Sequence, residues 1–266
     1  MAYTKSLLWE IKSKEHVVSY LFGSIHIGGF ALSKLKSSIT PYIQSCDSCA
    51  TEINIKEATL LDLSDYQLLM SNVDPRHYIS IKKWEKLHQN LLTKFDFDLH
   101  SVQHFKPLII LNLLVQKLYV NSNEPILDEW IWEYSFSINK NMQGLETVQD
   151  HYDTLNKIDL KEQYRIFYKS LSNNTQFRKK FAKLFEFYKK QDIRYLYKQA
   201  KRSSGKAKHL LLTDRNEKMT NVLESLLQKG SVFAAVGAAH LYGKNGMLNL
   251  IKSKSYKIKP MDLNIL

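Results

Sequence analysis

The feature that most constrains this chain is a short device that occurs twice. Near the C-terminus, Val232-Phe-Ala-Ala-Val-Gly237-Ala-Ala-His240 is an apolar run that stops at a glycine, presents a histidine three residues later and passes on through Gly243 and Gly246. Near the N-terminus, Val17-Val-Ser-Tyr-Leu-Phe-Gly23-Ser-Ile-His26-Ile-Gly28-Gly29 repeats the pattern. A β-rich apolar run bounded by glycine reads as a buried strand ending in a turn. Open α/β sheets place their sites at the carboxyl ends of such strands. One Gly-x-x-His alone is explained by a structural, hydrogen-bonded histidine. Two copies in the same context, separated by most of the chain, predict a site assembled by folding.

Between them the chain alternates strand-like and helical patterns. Ser6–Ile11 alternates loosely and predicts an edge strand. Phe30, Leu32, Leu35, Ile39 and Ile43 recur at helical spacing, and the stretch after them predicts a short parallel strand ending near Glu52. From about residue 56 to 138 the pattern is helical, broken at Pro75, Pro107 and Pro125, and Met142–Glu146 returns briefly to strand. Helices then resume, with one stripe through Phe177, Phe181, Leu184, Phe185 and Tyr188 that reads as core. Ser203-Ser-Gly205-Lys is the flexible-looking link in this half. Thr213 or Asp214 is expected to cap a helix whose apolar face is Met219, Val222, Leu223, Leu226 and Leu227. After the second Gly-x-x-His come a helix through Leu248 and Ile251 and a last strand, Tyr256–Pro260, whose proline suits an edge. The expected fold is α/β (α+β): one domain, a mixed β-sheet core flanked by helices, with a large all-helical insertion. Its core would span 1–55, 141–150 and 209–266, with helical insertions at about 56–140 and 151–208.

Charge is uneven. Of the formal +12, residues 161–208 hold 15 Lys/Arg against 3 Asp/Glu, and the remainder is balanced. Such a stretch is a solvated lysine-rich face or a surface for an acidic partner. No nucleic-acid motif accompanies it, so nucleic acid is not an expected partner. The longest apolar run, Pro107–Val115, is well short of the ~20 residues a membrane span needs, and no apolar leader opens the sequence. A soluble, cytoplasmic protein is the expectation.

The residue types fit hydrolytic chemistry. His26 and His240 are the commonest kind of metal ligand and also natural general bases. Glu52 and Glu146 sit at expected strand ends. Two histidines and one glutamate make a three-ligand set for a divalent ion, leaving a position for water and the other glutamate as base or orienter. Arg215 is placed to pair with a carboxylate or to stabilise an oxyanion. Cys46-x-x-Cys49 lacks a second pair or a redox context. His77, His88, His100, His104 and His209 show no ligand spacing and read as ordinary.

Four blocks in order resemble one family. Gly-Ser-Ile-His26-Ile-Gly, Gly144-Leu-Glu146-Thr-Val, Arg215-Asn216-Glu-Lys-Met219 and Val236-Gly-Ala-Ala-His240-Leu-Tyr-Gly243-Lys-Asn-Gly246 are similar to motifs of the TraB/GumN family, which includes the Tiki metalloproteases; Leu127-Asp128 matches a weaker position. The resemblance implies an α/β core related to erythromycin esterase-like folds, with His26, Glu52, Glu146, Arg215 and His240 at one site. It implies a metal-dependent hydrolase, most readily a peptidase, in which His26, Glu52 and His240 hold manganese, cobalt or zinc, Glu146 takes a proton and Arg215 stabilises the oxyanion. The substrate would be a peptide or small ester, acidic if the basic stretch takes part. Two alternatives stay open: a metal-independent His/Glu esterase-type hydrolase, and a non-enzymatic peptide-binding or sequestering protein. The chain departs from the family pattern at Ser24, Asn54, His151 and Ala239.

Overall fold

A computed structural model describes residues 5–25, 32–70, 73–119 and 125–265. His26, with Gly28, Gly29 and Phe30, lies outside the described residues. The strands are β1 (Leu8–Lys12), β2 (Val18–Ser24), β3 (Ser48–Thr51), β4 (Asn141–Gly144), β5 (Val232–Gly237) and β6 (Lys257–Met261). The helices are α1 (Ser33–Gln44), α2 (Ile55–Leu60), α3 (Ser64–Gln67), α4 (Ile81–Phe95), α5 (Pro107–Tyr119), α6 (Leu127–Ser137), α7 (Val148–Asn156), α8 (Leu160–Leu171), α9 (Asn174–Lys189), α10 (Ile193–Ser203), α11 (Arg215–Leu227) and α12 (Met247–Ser253).

The strands form one mixed sheet in the order β4-β3-β5-β2-β1-β6. β2, β3, β4 and β5 run parallel, so their carboxyl ends share one edge of the sheet. β5 lies between β3 and β2 and is buried at every position from Val232 to Val236, as a central parallel strand must be. β1 is antiparallel to both β2 and β6. The first strand is therefore not the edge expected from its loose alternation. The last strand covers it, and the edge falls on β6, where Pro260 removes an amide the sheet does not use.

Two large apolar clusters share the molecule. The first is built on the sheet and includes Leu35, Ile39 and Ile43 of α1, Met219, Leu223 and Leu227 of α11, and Leu127, Ile131, Tyr188 and Leu196 from the helical middle. The second lies among helices and gathers Trp84, Leu87, Leu91, Phe95, Ile110, Leu114, Phe167, Leu171 and Phe177. α9 joins them: Phe177 and Phe181 serve the helical cluster, while Leu184, Phe185 and Tyr188 serve the sheet. The aromatic stripe is core, as its spacing predicts. Val222, expected on the apolar face of α11, is 38% exposed. The lysines and arginines of the basic stretch lie mostly on the solvent side of α8–α10.

The expected cap at Thr213 or Asp214 is replaced by a different device. His209–Asp214 is already wound as a π-helical turn, Asp214 has helical backbone angles, and its side chain makes no cap hydrogen bond. The amides a cap would serve are taken up by that preceding turn. Asp214 pairs instead with His209 Nδ1 at 2.8 Å. π turns recur at functional positions, and this one delivers Arg215.

Gly246 opens α12 where backbone meets backbone. A Cβ there would lie 2.4 Å from the carbonyl carbon of Tyr242 and 2.5 Å from the Leu241 oxygen. Neither atom is a side chain that could swing away. Gly246→Ala should cost about 2–3 kcal/mol, read as a lower urea midpoint with an unchanged m-value.

Candidate functional site

The parallel register brings the site together. Thr51 stands beside Gly144 and Ser24 beside Gly237. The ladder between β3 and β4 continues past the strand ends, with Leu145 N–H donating to Thr51 O and Glu146 N–H to Glu52 O, both at 2.8 Å. Glu52 and Glu146 therefore leave adjacent strands side by side. Both are buried, as are Arg215 and His240.

Arg215 lies between the two carboxylates. Its Nε donates to Glu146 Oε2 at 3.1 Å, and Nη2 donates to Glu146 Oε1 and to Glu52 Oε2, each at 2.5 Å. Glu52 Oε1 accepts the Gly237 N–H at 2.7 Å, which ties β3 to the end of β5. Burial would lower the arginine's pKa, but the two carboxylates outweigh it and hold the guanidinium charged. Nη1 makes no hydrogen bond among the described residues.

Glu146 has a second partner, His151 Nδ1 at 2.8 Å on the first turns of α7. Burial alone would raise the Glu146 carboxyl. The hydrogen bonds from His151 and Arg215 and the guanidinium charge outweigh it, so its pKa lies below the ordinary value of 4.5. An ionised carboxylate only accepts hydrogen bonds, so Nδ1 is the protonated nitrogen and the neutral ring keeps its lone pair on Nε2. The stabilisation is fully present above pH 4.5 and is lost as pH falls through the lower folded value. Thermal melts should therefore fall below pH 4.5 in the wild type, and Glu146→Gln should flatten that part of the curve.

His240 is fixed in the same way. Asn216 Nδ2 donates to Asn245 O at 2.7 Å, which identifies Asn216 Oδ1 as the atom 2.6 Å from His240 Nδ1. Nδ1 is thus the donor, and Nε2 faces Glu52 Oε1 at 3.7 Å. Two acceptor atoms facing each other at this distance suit a shared proton or a cation. A metal-bound histidine characteristically donates its other N–H to an oxygen, and Asn216 supplies that oxygen. Glu52, Glu146 and His151 also offer ligand atoms within 4.8 Å of one another. These nitrogen and oxygen donors fit manganese, cobalt or zinc.

Further out, Ser24 Oγ donates to Asp128 Oδ1 at 2.5 Å and Tyr188 OH donates to Gly23 O at 2.8 Å, so α6 and α9 hold the end of β2. An open depression of about 580 Å³ lies beside Glu146, lined by Asn54, Gly144, Thr147, Asp150 and Lys218.

Of the expected site residues, the structure brings Glu52, Glu146, Arg215 and His240 together; His26 lies outside the described residues. His151 and Asn216 were not expected as site residues. His151 stood out as a departure from the family pattern at a position where a histidine can add or disturb a ligand, and Asn216 only as the neighbour of Arg215. Cys46 and Cys49 are free and buried in the sheet core. Burial pushes their thiols up to about 12 and about 11, which leaves them inert.

A search among curated proteins finds no match. A family model described as the TraB/PrgY/gumN family matches residues 7–260, nearly the whole sequence. The four sequence blocks, the convergence of Glu146, Arg215 and His240 from three of them, and this match agree, and the chain belongs to the TraB/PrgY/gumN family.

Proposed function

We propose that the site is hydrolytic and metal-assisted, acting on a peptide bond. One observation carries the reading: a buried Glu52–Arg215–Glu146 triad beside an oriented histidine, His240, whose Nε2 faces Glu52 Oε1 at 3.7 Å. In this reading Glu52 and His240 hold a divalent ion, together with His26. When bound, such an ion polarises a carbonyl and acidifies its water. Asn216 keeps His240 in the ligating tautomer. Arg215 keeps both carboxylates ionised and in place, and its Nη1 is the donor left for a developing oxyanion. Glu146, held low, is a weak proton acceptor on its own. It serves better by orienting His151, whose Nε2 takes the proton.

The test is purification without chelator, elemental analysis, and cleavage of a peptide library with added manganese, cobalt or zinc. The expected result is metal-stimulated cleavage that disappears in His240→Ala and Glu52→Gln. No stimulation by any of the three ions would sink the reading. The Glu146–His151 pair supports a second reading, hydrolysis of an ester without metal. That reading expects chelator-resistant activity lost in His151→Ala.

A further inference from the structure

We propose a second metal site, for a zinc-class divalent ion, on the helical cluster, built by His88, Asp98 and His100. These three side chains place ligand atoms within 4.8 Å of one another. None belongs to the carboxylate–arginine site.

The local fold explains why they meet. α4 ends at Asp96, which takes a left-handed conformation (φ 49°) and turns the chain back on the helix. Phe97 and Leu99 then bury themselves in the helical cluster. Alternation leaves Asp98 and His100 on the opposite side, over the face of α4 that carries Glu85 and His88, one turn apart. Asp98 Oδ1 accepts the His100 N–H at 2.9 Å, which stiffens the loop.

The decisive group is His88. It is 7% exposed, and its buried Nδ1 has no hydrogen-bond partner among the described residues. That atom points at Asp98 Oδ1 from 3.6 Å, beyond hydrogen-bond reach. A buried polar atom left in this way costs free energy that a ligand would recover. The other histidine is prepared differently. Glu85 Oε1 sits 3.3 Å from His100 Nε2, the position of the carboxylate that orients a metal-bound histidine. That leaves Nδ1 as the lone pair of His100. The two imidazoles are stacked, 3.7 Å apart and 7° from parallel. The two carboxylates, Asp98 and Glu85, match the charge of one divalent cation. Two imidazoles with carboxylates suit zinc, which binds such nitrogens at ~2.0–2.1 Å. Parallel lone pairs do not meet, so ligation tilts the rings apart. The ion would tie the loop to α4 and brace the helical cluster.

The test is zinc titration of the full, chelator-stripped chain by competition with a chromophoric chelator. The comparison set is wild type, His100→Ala, Asp98→Asn and His240→Ala, with thermal melts of each and the histidine ¹⁵N shifts of the wild type. His100 and Asp98 are partly exposed, so their variants should fold. The expected result is a zinc equivalent that His240→Ala, which removes a ligand of the proposed hydrolytic ion, retains. In His100→Ala and Asp98→Asn its affinity should fall by more than the roughly 10–100-fold that loss of an outer-shell partner costs. The wild-type melt should rise with zinc, and the His88 and His100 ring nitrogens should shift. No zinc equivalent in His240→Ala, or zinc binding in His100→Ala and Asp98→Asn indistinguishable from that of the wild type, would overturn the proposal. The His240→Ala arm keeps this outcome separate from failure of the hydrolytic reading.

Discussion

Replacing Arg215 by Met should lower the free energy of unfolding by about 3–5 kcal/mol at neutral pH, the penalty for removing one partner of a buried ion pair. Arg215 is the cation between Glu52 and Glu146, and all three side chains are buried. Without it two carboxylates stand side by side out of water. Each disfavours the other's charge, and burial disfavours both, so the variant takes up protons well above the ordinary carboxylate range. Its stability should therefore rise as pH is lowered from 7 toward 4.5. The wild type behaves in the opposite sense further down, losing the Glu146 contribution below pH 4.5. Urea denaturation of both proteins across this range checks the prediction. Arg215→Lys should restore little, because one ammonium cannot reproduce a guanidinium that donates through Nε to one carboxylate and through Nη2 to both. A Met variant as stable as the wild type would mean the triad does not form in solution.

The second large effect is expected at His240. If the site hydrolyses its substrate as proposed, His240→Ala should reduce kcat/KM by more than the roughly 10–100-fold that loss of an outer-shell partner costs, because it removes a ligand of the ion itself. Asn216→Leu should cost less, roughly 10–100-fold, because it leaves the imidazole present but no longer anchored through Nδ1. The two variants also differ in cause. Asn216→Leu strips Asn245 O of its donor and loosens the turn before α12, so its melt should fall along with its rate. Rescue of the Asn216 defect by Asp, which keeps an oxygen toward Nδ1, would separate orientation from folding. Hydrolysis that survives both substitutions would place the chemistry elsewhere.

The Cys46-x-x-Cys49 motif marks a limit of reading short patterns. Its spacing permits a redox or metal role, yet both thiols pack into the sheet core, where burial suppresses the reactive thiolate. The histidines of the helical middle show the reverse. His88 and His100 sit at no standard ligand spacing, and only the left-handed turn at Asp96 stacks one over the other.

Much of the site's local chemistry was legible in the residues themselves. An apolar run ending in Gly237 can be little else than a buried strand entering a tight turn, because burial sets its composition and close approach sets its glycine. The same reasoning placed Glu52 and Glu146 at strand ends and made the aromatic stripe of α9 core. Nothing in a local period, however, encodes the order of strands. Whether β1 is an edge depends on β6, nearly the whole chain away. Whether Arg215 is a surface charge or the buried cation of a triad depends on β3 and β4 pairing in a register that sets two glutamates side by side. Those choices belong to the tertiary structure, because a buried charge is tolerated only where partners distant in sequence converge on it.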